Sequence, residues 1–290
     1  MVGTPLWGSE MRPKKYLLGA VLVLLIYAVF FSRAIIIETR VENMPKFGEE
    51  NLEKCPAKIE VKEVRNWLEN YVNFTVNGKT YTLKGFFGEY FCFHEGVLLI
   101  AGYPGDPHAP STDIVFLDSA LNKKWERYLG RGLWFESYHE GKIILGDGCV
   151  YWIEVEDGNF RYFCPKTGSI TDVEDKGDLS YVATTEGYVY LLKEHKLEKG
   201  IRTAKPWKGE NLRMLVRVGA GEKYVAVVYS FVNPQGNEKR GLCVYTKNLI
   251  KLACKRLNYT PGEVVVVNKT VYVKDFYTGQ IRAYKVYSLL

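Results

Sequence analysis

The hydropathy pattern divides this chain into one long apolar run and a series of short alternating segments. Tyr16 to Ser32 contains no charged residue, and Arg12, Lys14 and Lys15 lie just before it. Such a run in helical form covers roughly 25 Å, and continuing through Arg33 to Ile37 gives roughly 33 Å, enough for a hydrocarbon core of about 30 Å. Arg33 then sits near the far interface, its stem apolar and its head reaching water. The upstream cations favour a cytoplasmic N-terminus. The expected organisation is a cytoplasmic segment 1–15, a transmembrane signal anchor 16–37, a linker 38–54 and an extracytoplasmic domain 55–290. A second reading is a cleaved signal peptide with small residues at Ser32 and Ala34, which would release a secreted domain after Ala34. Against it, the run exceeds the usual apolar region of about 7–15 residues.

Beyond residue 55 the apolar period shortens to two, the signal of strands. A short core recurs five times: Ile114-Val115-Phe116, Cys149-Val150-Tyr151, Tyr188-Val189-Tyr190, Cys243-Val244-Tyr245 and Thr270-Val271-Tyr272. Each is followed by a turn and another strand, and most are preceded by one or two more, such as Val97–Ile100 and Tyr81–Phe86. Repeats of four short antiparallel strands at about 35–55 residues predict an all-β propeller of about five four-stranded blades. The last unit has room for three strands, and residues 55–77 are the expected supplier of the fourth, although Val64–Tyr71 also reads as a short helix. Phe93-His94-Glu95-Gly96 and Tyr138-His139-Glu140-Gly141 occupy equivalent turns, where Gly supplies a positive φ; they read as construction rather than chemistry.

Composition adds a compartment. The chain has 21 Tyr and 39 Lys plus Arg against 33 Asp plus Glu. Five of those cations and two of those acids precede residue 41, so 34 and 31 remain in the exported part. With no block of like charge, nothing points to a nucleic-acid partner. Cys149 and Cys164 flank a strand–turn–strand, as do Cys243 and Cys254, and pairing about each turn sets the two cysteines opposite one another, within disulfide reach. Cys55 and Cys92 remain as the third pair. Three bridges suit an oxidising compartment. A zinc site is disfavoured, since no Cys-x-x-Cys occurs and there are four His. Asn73, Asn258 and Asn268 begin N-glycosylation sequons, which makes a glycoprotein plausible.

Val271-Tyr-Val-Lys-Asp-Phe-Tyr-Thr-Gly279-Gln-Ile-Arg-Ala-Tyr284 and Ile114–Tyr128, with Asp118 and Trp125, resemble the repeat of quinoprotein-like propellers. That resemblance covers about two units and describes blade construction. Enzymes of the family bind pyrroloquinoline quinone and calcium; other members bind proteins or sense ligands. The adjacent cysteines of some quinoprotein enzymes have no counterpart here, and no cofactor is expected.

Two long segments enter the repeat cores on one face: Tyr103–Asp113, with Asp106, His108 and Asp113, and Phe231–Arg240, with Asn233, Gln235, Lys239 and Arg240. Loops on a rigid scaffold concentrate binding residues. No catalytic residue is assigned, because Gly-x-Ser-x-Gly and nucleotide-loop signatures are missing. Glu136 and Asp147 are carboxylates whose separation the sequence does not set. The leading expectation is a membrane-anchored, non-catalytic extracytoplasmic propeller that binds protein or glycan. The alternatives are an extracytoplasmic enzyme, carbohydrate-active or quinone-dependent, and a subunit of a cell-envelope complex.

Overall fold

The computed structural model describes residues 34–41, 45, 47, 52–65, 70–102, 112–129, 133–139 and 141–288. The run from Tyr16 to Ser32 lies outside the described residues, as do Tyr103, Asp106 and His108. Twenty-three strands form six antiparallel sheets. Strand β1 (Ala34–Thr39) is set aside for the end of the chain. Sheet 1 holds β2 (Ile59–Arg65), β3 (Asn70–Val76) and β4 (Lys79–Lys84). Sheet 2 is β5 (Phe87–Phe93), β6 (Gly96–Gly102), β7 (Thr112–Asp118) and β8 (Lys123–Leu129). Sheet 3 is β9 (Leu133–His139), β10 (Lys142–Asp147), β11 (Val150–Glu154) and β12 (Phe160–Phe163). Sheet 4 runs through β13 (Ile170–Lys176), β14 (Leu179–Thr184), β15 (Tyr188–Lys193) and β16 (Lys196–Arg202). Sheet 5 runs through β17 (Arg213–Ala220), β18 (Tyr224–Val232), β19 (Glu238–Thr246) and β20 (Lys251–Arg256). Sheet 6 has β21 (Pro261–Val267), β22 (Thr270–Asp275) and β23 (Ile281–Ser288), with β1 as its outermost strand.

The sheets stack face to face because their middle strands are apolar on both sides. In β18, Val225 and Val227 pack toward sheet 4 while Tyr224, Ala226 and Val228 pack toward sheet 6. In β6, Val97, Leu99 and Ala101 face sheet 1 while Leu98 and Ile100 face sheet 3. A strand buried on both faces reads as a continuous apolar segment, and that is how these two read. Five apolar clusters result, one between each successive pair of sheets. Sheet 1 is different. Val72, Phe74, Val76 and Leu83 are buried against sheet 2, whereas Asn73, Thr75, Thr80 and Thr82 face the other way. This is the one-sided alternation of a sheet that packs on a single neighbour. The architecture is a β-propeller built radially from antiparallel sheets.

Six sheets are described where about five blades were expected, five of them four-stranded and sheet 1 three-stranded, and three details of the expected repeats change. Tyr81–Phe86 is not a strand of the first repeat: β4 ends at Lys84 in sheet 1, and β5 supplies the inner strand of sheet 2. Of the segment Val64–Tyr71, read also as a short helix, the described residues are strand, with Val64 opposite Tyr71 and Arg65 opposite Asn70; residues 66–69 lie outside the described residues. The strand completing sheet 6 comes from β1 rather than from residues 55–77. Ala34 lies opposite Ser288, Ile36 opposite Val286 and Glu38 opposite Tyr284. Ala34–Ile37, the far end of the span expected from hydropathy, is therefore strand. Because the added strand is the outermost one, Thr270-Val271-Tyr272 falls on the second strand of its sheet, whereas the other four cores fall on the third. That shift accounts for the short last spacing.

All three expected disulfides form: Cys149–Cys164 and Cys243–Cys254 across paired strands, and Cys55–Cys92 between the segment before β2 and β5. Cys243 is directly opposite Cys254, joining the third and fourth strands of sheet 5. Cys55–Cys92 fastens the approach to sheet 1 onto β5, helped by the Glu53 N–H donating to the Cys92 carbonyl at 2.8 Å. It does not close a ring.

The register of β1 is testable. Ala34 is buried among residues of sheets 5 and 6, while the next residue, Ile35, is 55% exposed. Ala34→Asp places a charge where only apolar groups surround it and should destabilise the domain by about 3 kcal/mol or more. Ile35→Asp should stay within about 0.5 kcal/mol. Chemical denaturation of both variants checks this; equal effects would mean a different register.

Candidate functional site

The inner strands line two recesses that share Phe135, one between β5 and β9 and the other among β9, β13, β17 and β21. The larger, of about 630 Å³, is lined by Glu136, Tyr138, Asp172, Glu174, Arg217 and Glu263, among others, with Phe47 and Leu52 from the segment after β1. The smaller, of about 540 Å³, is bounded by Gly88–Phe91, Trp134 and Phe135, with Phe91 and Phe135 stacked at 4.0 Å between centroids.

The carboxylates here have separable roles. Each inner strand has an edge whose N–H groups the neighbouring sheet must satisfy. The Val218 N–H donates to Asp172 Oδ2 at 2.7 Å, and the Ala220 N–H donates to Glu174. Asp172 also receives Arg217 at 3.5 Å, and Thr171 Oγ1 donates to the Val216 carbonyl at 2.7 Å. Asp172 and Glu174 thus stitch sheet 4 to the edge of sheet 5. Burial raises both carboxyls above their ordinary range, with Arg217 opposing it at Asp172 and Lys176 at Glu174. The Asp172 side chain keeps 24% of its surface exposed.

Glu136 has no such engagement among the described residues. It is the extra residue of a β-bulge, with Phe135 opposite Leu145 and Ser137 opposite Ile144. A bulge re-aims its side chain. The Glu136 carboxylate lies over Gly146, where a Cβ would come within 2.9 Å of Oε1, so the glycine is what makes room. Burial pushes the Glu136 carboxyl up to about 7, reinforced by Asp172 and Asp147 and partly offset by Arg217.

Of the loop residues singled out from sequence, Asp113 lies in β7 and accepts the Lys84 N–H at 2.9 Å, joining sheet 2 to sheet 1; burial raises its carboxyl. Phe231–Arg240 proves to be mostly ladder. Only residues 233–237 form the turn, held by the Asn237 N–H on Asn233 Oδ1 at 2.8 Å, with Gln235 exposed at its tip. Lys239 and Arg240 belong to β19 and join a cluster not evident in the sequence. Glu238 accepts Ser230 Oγ at 2.6 Å and Thr260 Oγ1 at 2.9 Å, and pairs with Arg240 at 3.1 Å. Arg213 lies 5.4 Å from the Phe276 ring and 5.2 Å from the Tyr277 ring, and bonds the Tyr277 hydroxyl. Lys239 Nζ sits 3.9 Å over Trp207, whose Nε1–H donates to the Phe231 carbonyl at 3.2 Å. Leu212, Phe276 and Tyr277 are 64%, 56% and 67% exposed. The turn 275–279 is tied by Asp275 Oδ1, which accepts the N–H groups of Tyr277 and Thr278, both at 2.9 Å. Two adjacent aromatics in a turn, where polar residues are usual, were the available signal.

No known protein family matches the sequence, and no curated protein does. Among solved structures, BamB from Moraxella catarrhalis is similar at 8% identity and a TM-score of 0.35, over 77% of this chain and 96% of that one. The Dos1 propeller is similar at 11% identity and 0.48, over 78% and 65%. AztD from Citrobacter koseri is similar at 12% and 0.42, over 71% and 61%. Likenesses this distant say nothing about function, and the propeller architecture rests on the six sheets themselves.

Glu136 sets a pH signature. Its folded pKa lies above that of the unfolded chain, so its contribution is fully present below about 4.5 and is lost as pH rises through about 7. Glu136→Gln removes the cost of the buried charge. The variant should match the parent near pH 4.5 and exceed its stability by on the order of 2 kcal/mol at pH 8. Thermal unfolding at both values reads this; a gain independent of pH would place the carboxylate in water.

Proposed function

We propose that this protein is a membrane-anchored, extracytoplasmic β-propeller that binds a protein partner through the end of sheets 5 and 6 distant from its anchor. The observation that carries this reading is the cluster of exposed Leu212, Phe276 and Tyr277 around the partly buried Arg213, beside Trp207 and Lys239. Aromatic and arginine side chains held in place by one another are what protein interfaces concentrate at their centres. A glycan fits less well: Arg213 already lies against the Phe276 and Tyr277 rings and Lys239 covers Trp207, so the flat faces a sugar would stack on are occupied. The apolar run with its upstream cations supports the anchor, and three disulfides support an oxidising compartment. The strand register supports opposite placement of anchor and cluster. Chain entry at Ala34 lies opposite Ser288, near the β21–β22 turn, whereas Arg213 and the turn 275–279 lie at the other strand ends.

A catalytic reading has one observation in its favour, the raised carboxyl of Glu136, which suits a general acid in glycosyl transfer. Its neighbours Asp172 and Glu174 are committed to backbone N–H groups, which weakens that reading. Hydrolysis of a glycan panel that is lost in Glu136→Gln would favour it.

The binding reading is tested by capture from solubilised membranes with the parent and with a Phe276→Ala/Tyr277→Ala variant. Both side chains are more than half exposed, so folding should change by only about 0.5 kcal/mol per site. Affinity for a captured partner should fall about tenfold or more. Equal capture by the variant, or no partner at all, would overturn the assignment.

A further inference from the structure

The start of β1 brings exposed apolar groups close to the end of the apolar run. Only Arg33 separates Ser32 from Ala34. Three residues of extended chain span about 10 Å and five about 17 Å, so Ile35 and Ile37 lie within those distances of Ser32. Both isoleucines point away from the core, at 55% and 48% exposure. Pairing places Ile35 opposite Tyr287 and Ile37 opposite Lys285; Lys285 lies opposite Thr270, and Thr270 opposite Val267. One open face of sheet 6 therefore presents Ile35, Ile37, Val267 and Tyr287, with Lys285 5.8 Å from the Tyr287 ring. Lys269, in the adjoining turn, is exposed, and its carbonyl accepts the Val286 N–H at 2.8 Å, which fixes the turn at the strand ends where β1 begins.

We propose that this edge of sheet 6 rests on the bilayer holding the anchor, with Ile35, Val267 and Tyr287 entering the headgroup boundary and Lys269 and Lys285 against lipid phosphates. It rests on the anchor reading. The headgroup zone is about 5–8 Å deep on each side, so a strand beginning at Ala34, the residue after Arg33, has no chain length with which to clear it. Tyrosine rings settle at that level, and lysine heads reach the phosphates while their stems stay apolar. The propeller would then stand on this edge, with Arg213, Phe276 and Tyr277 directed outward.

The full chain in nanodiscs of phosphatidylcholine and phosphatidylglycerol, carrying a benzophenone amino acid at position 35, 287 or 162, tests this. Tyr162 is 61% exposed on the outer strand of sheet 3 and serves as the reference. Mass spectrometry after illumination should find lipid adducts at 35 and 287 and none at 162. Alkaline carbonate extraction is run in parallel. A chain that resists extraction yet gives no lipid adduct at 35 and 287, or gives a crosslink to a second copy instead, overturns the resting edge while the anchor stands. A chain released by carbonate overturns the anchor and the edge together.

Discussion

Pairing between β1 and β23 joins the beginning of the described chain to its end, and the placement of everything else follows from it. Without β1, the edge of β23 would present unpaired N–H and C=O groups, and the apolar cluster between sheets 5 and 6 would lose Ala34 and Ile36. With it, sheet 6 reaches four strands and the chain enters the domain at one fixed corner. That corner decides which strand ends face the N-terminal run and which face away. The cluster of exposed aromatics around Arg213 belongs to the far set.

Inward from that edge, stability is shared among five apolar clusters, each built from the facing sides of two sheets. Such stacking leaves the inner strand of each sheet with one unpaired edge. The carboxylates of Asp172 and Glu174 and the hydroxyl of Thr112 meet that need, the last by accepting the Leu133 N–H at 2.9 Å. Asp172 and Glu174, which line the larger recess, are therefore structural. Glu136 differs from these two, turned out of the ladder by its bulge and with its carboxyl raised by burial.

Much of this was legible in the sequence, for reasons that name its limits. Middle strands buried on both faces read as continuous Val, Leu and Tyr segments, which is why the repeats around Val115, Val150, Val189 and Val244 stood out. Cysteines symmetric about a turn declared their own pairing. Sheet 1 was missed because its strands alternate on one side only and Val64–Tyr71 has no turn signal. Strand β1 was missed because Ile35, Ile36 and Ile37 follow a membrane-like run, and hydropathy does not distinguish its end from a strand. The change from leucine-rich to β-branched residues at Ala34 was the cue. The cluster around Arg213 joins residues 207, 213, 239 and 276–277, which only the strand register brings together.

Hydrogen exchange on the full chain measures the β1–β23 pairing directly. Peptides covering 34–39 and 283–288 should be as slow to exchange as those covering β22, because each is laddered along its length. Fast exchange of 34–39, with 283–288 behaving as a frayed end, would contradict the closure and the orientation derived from it.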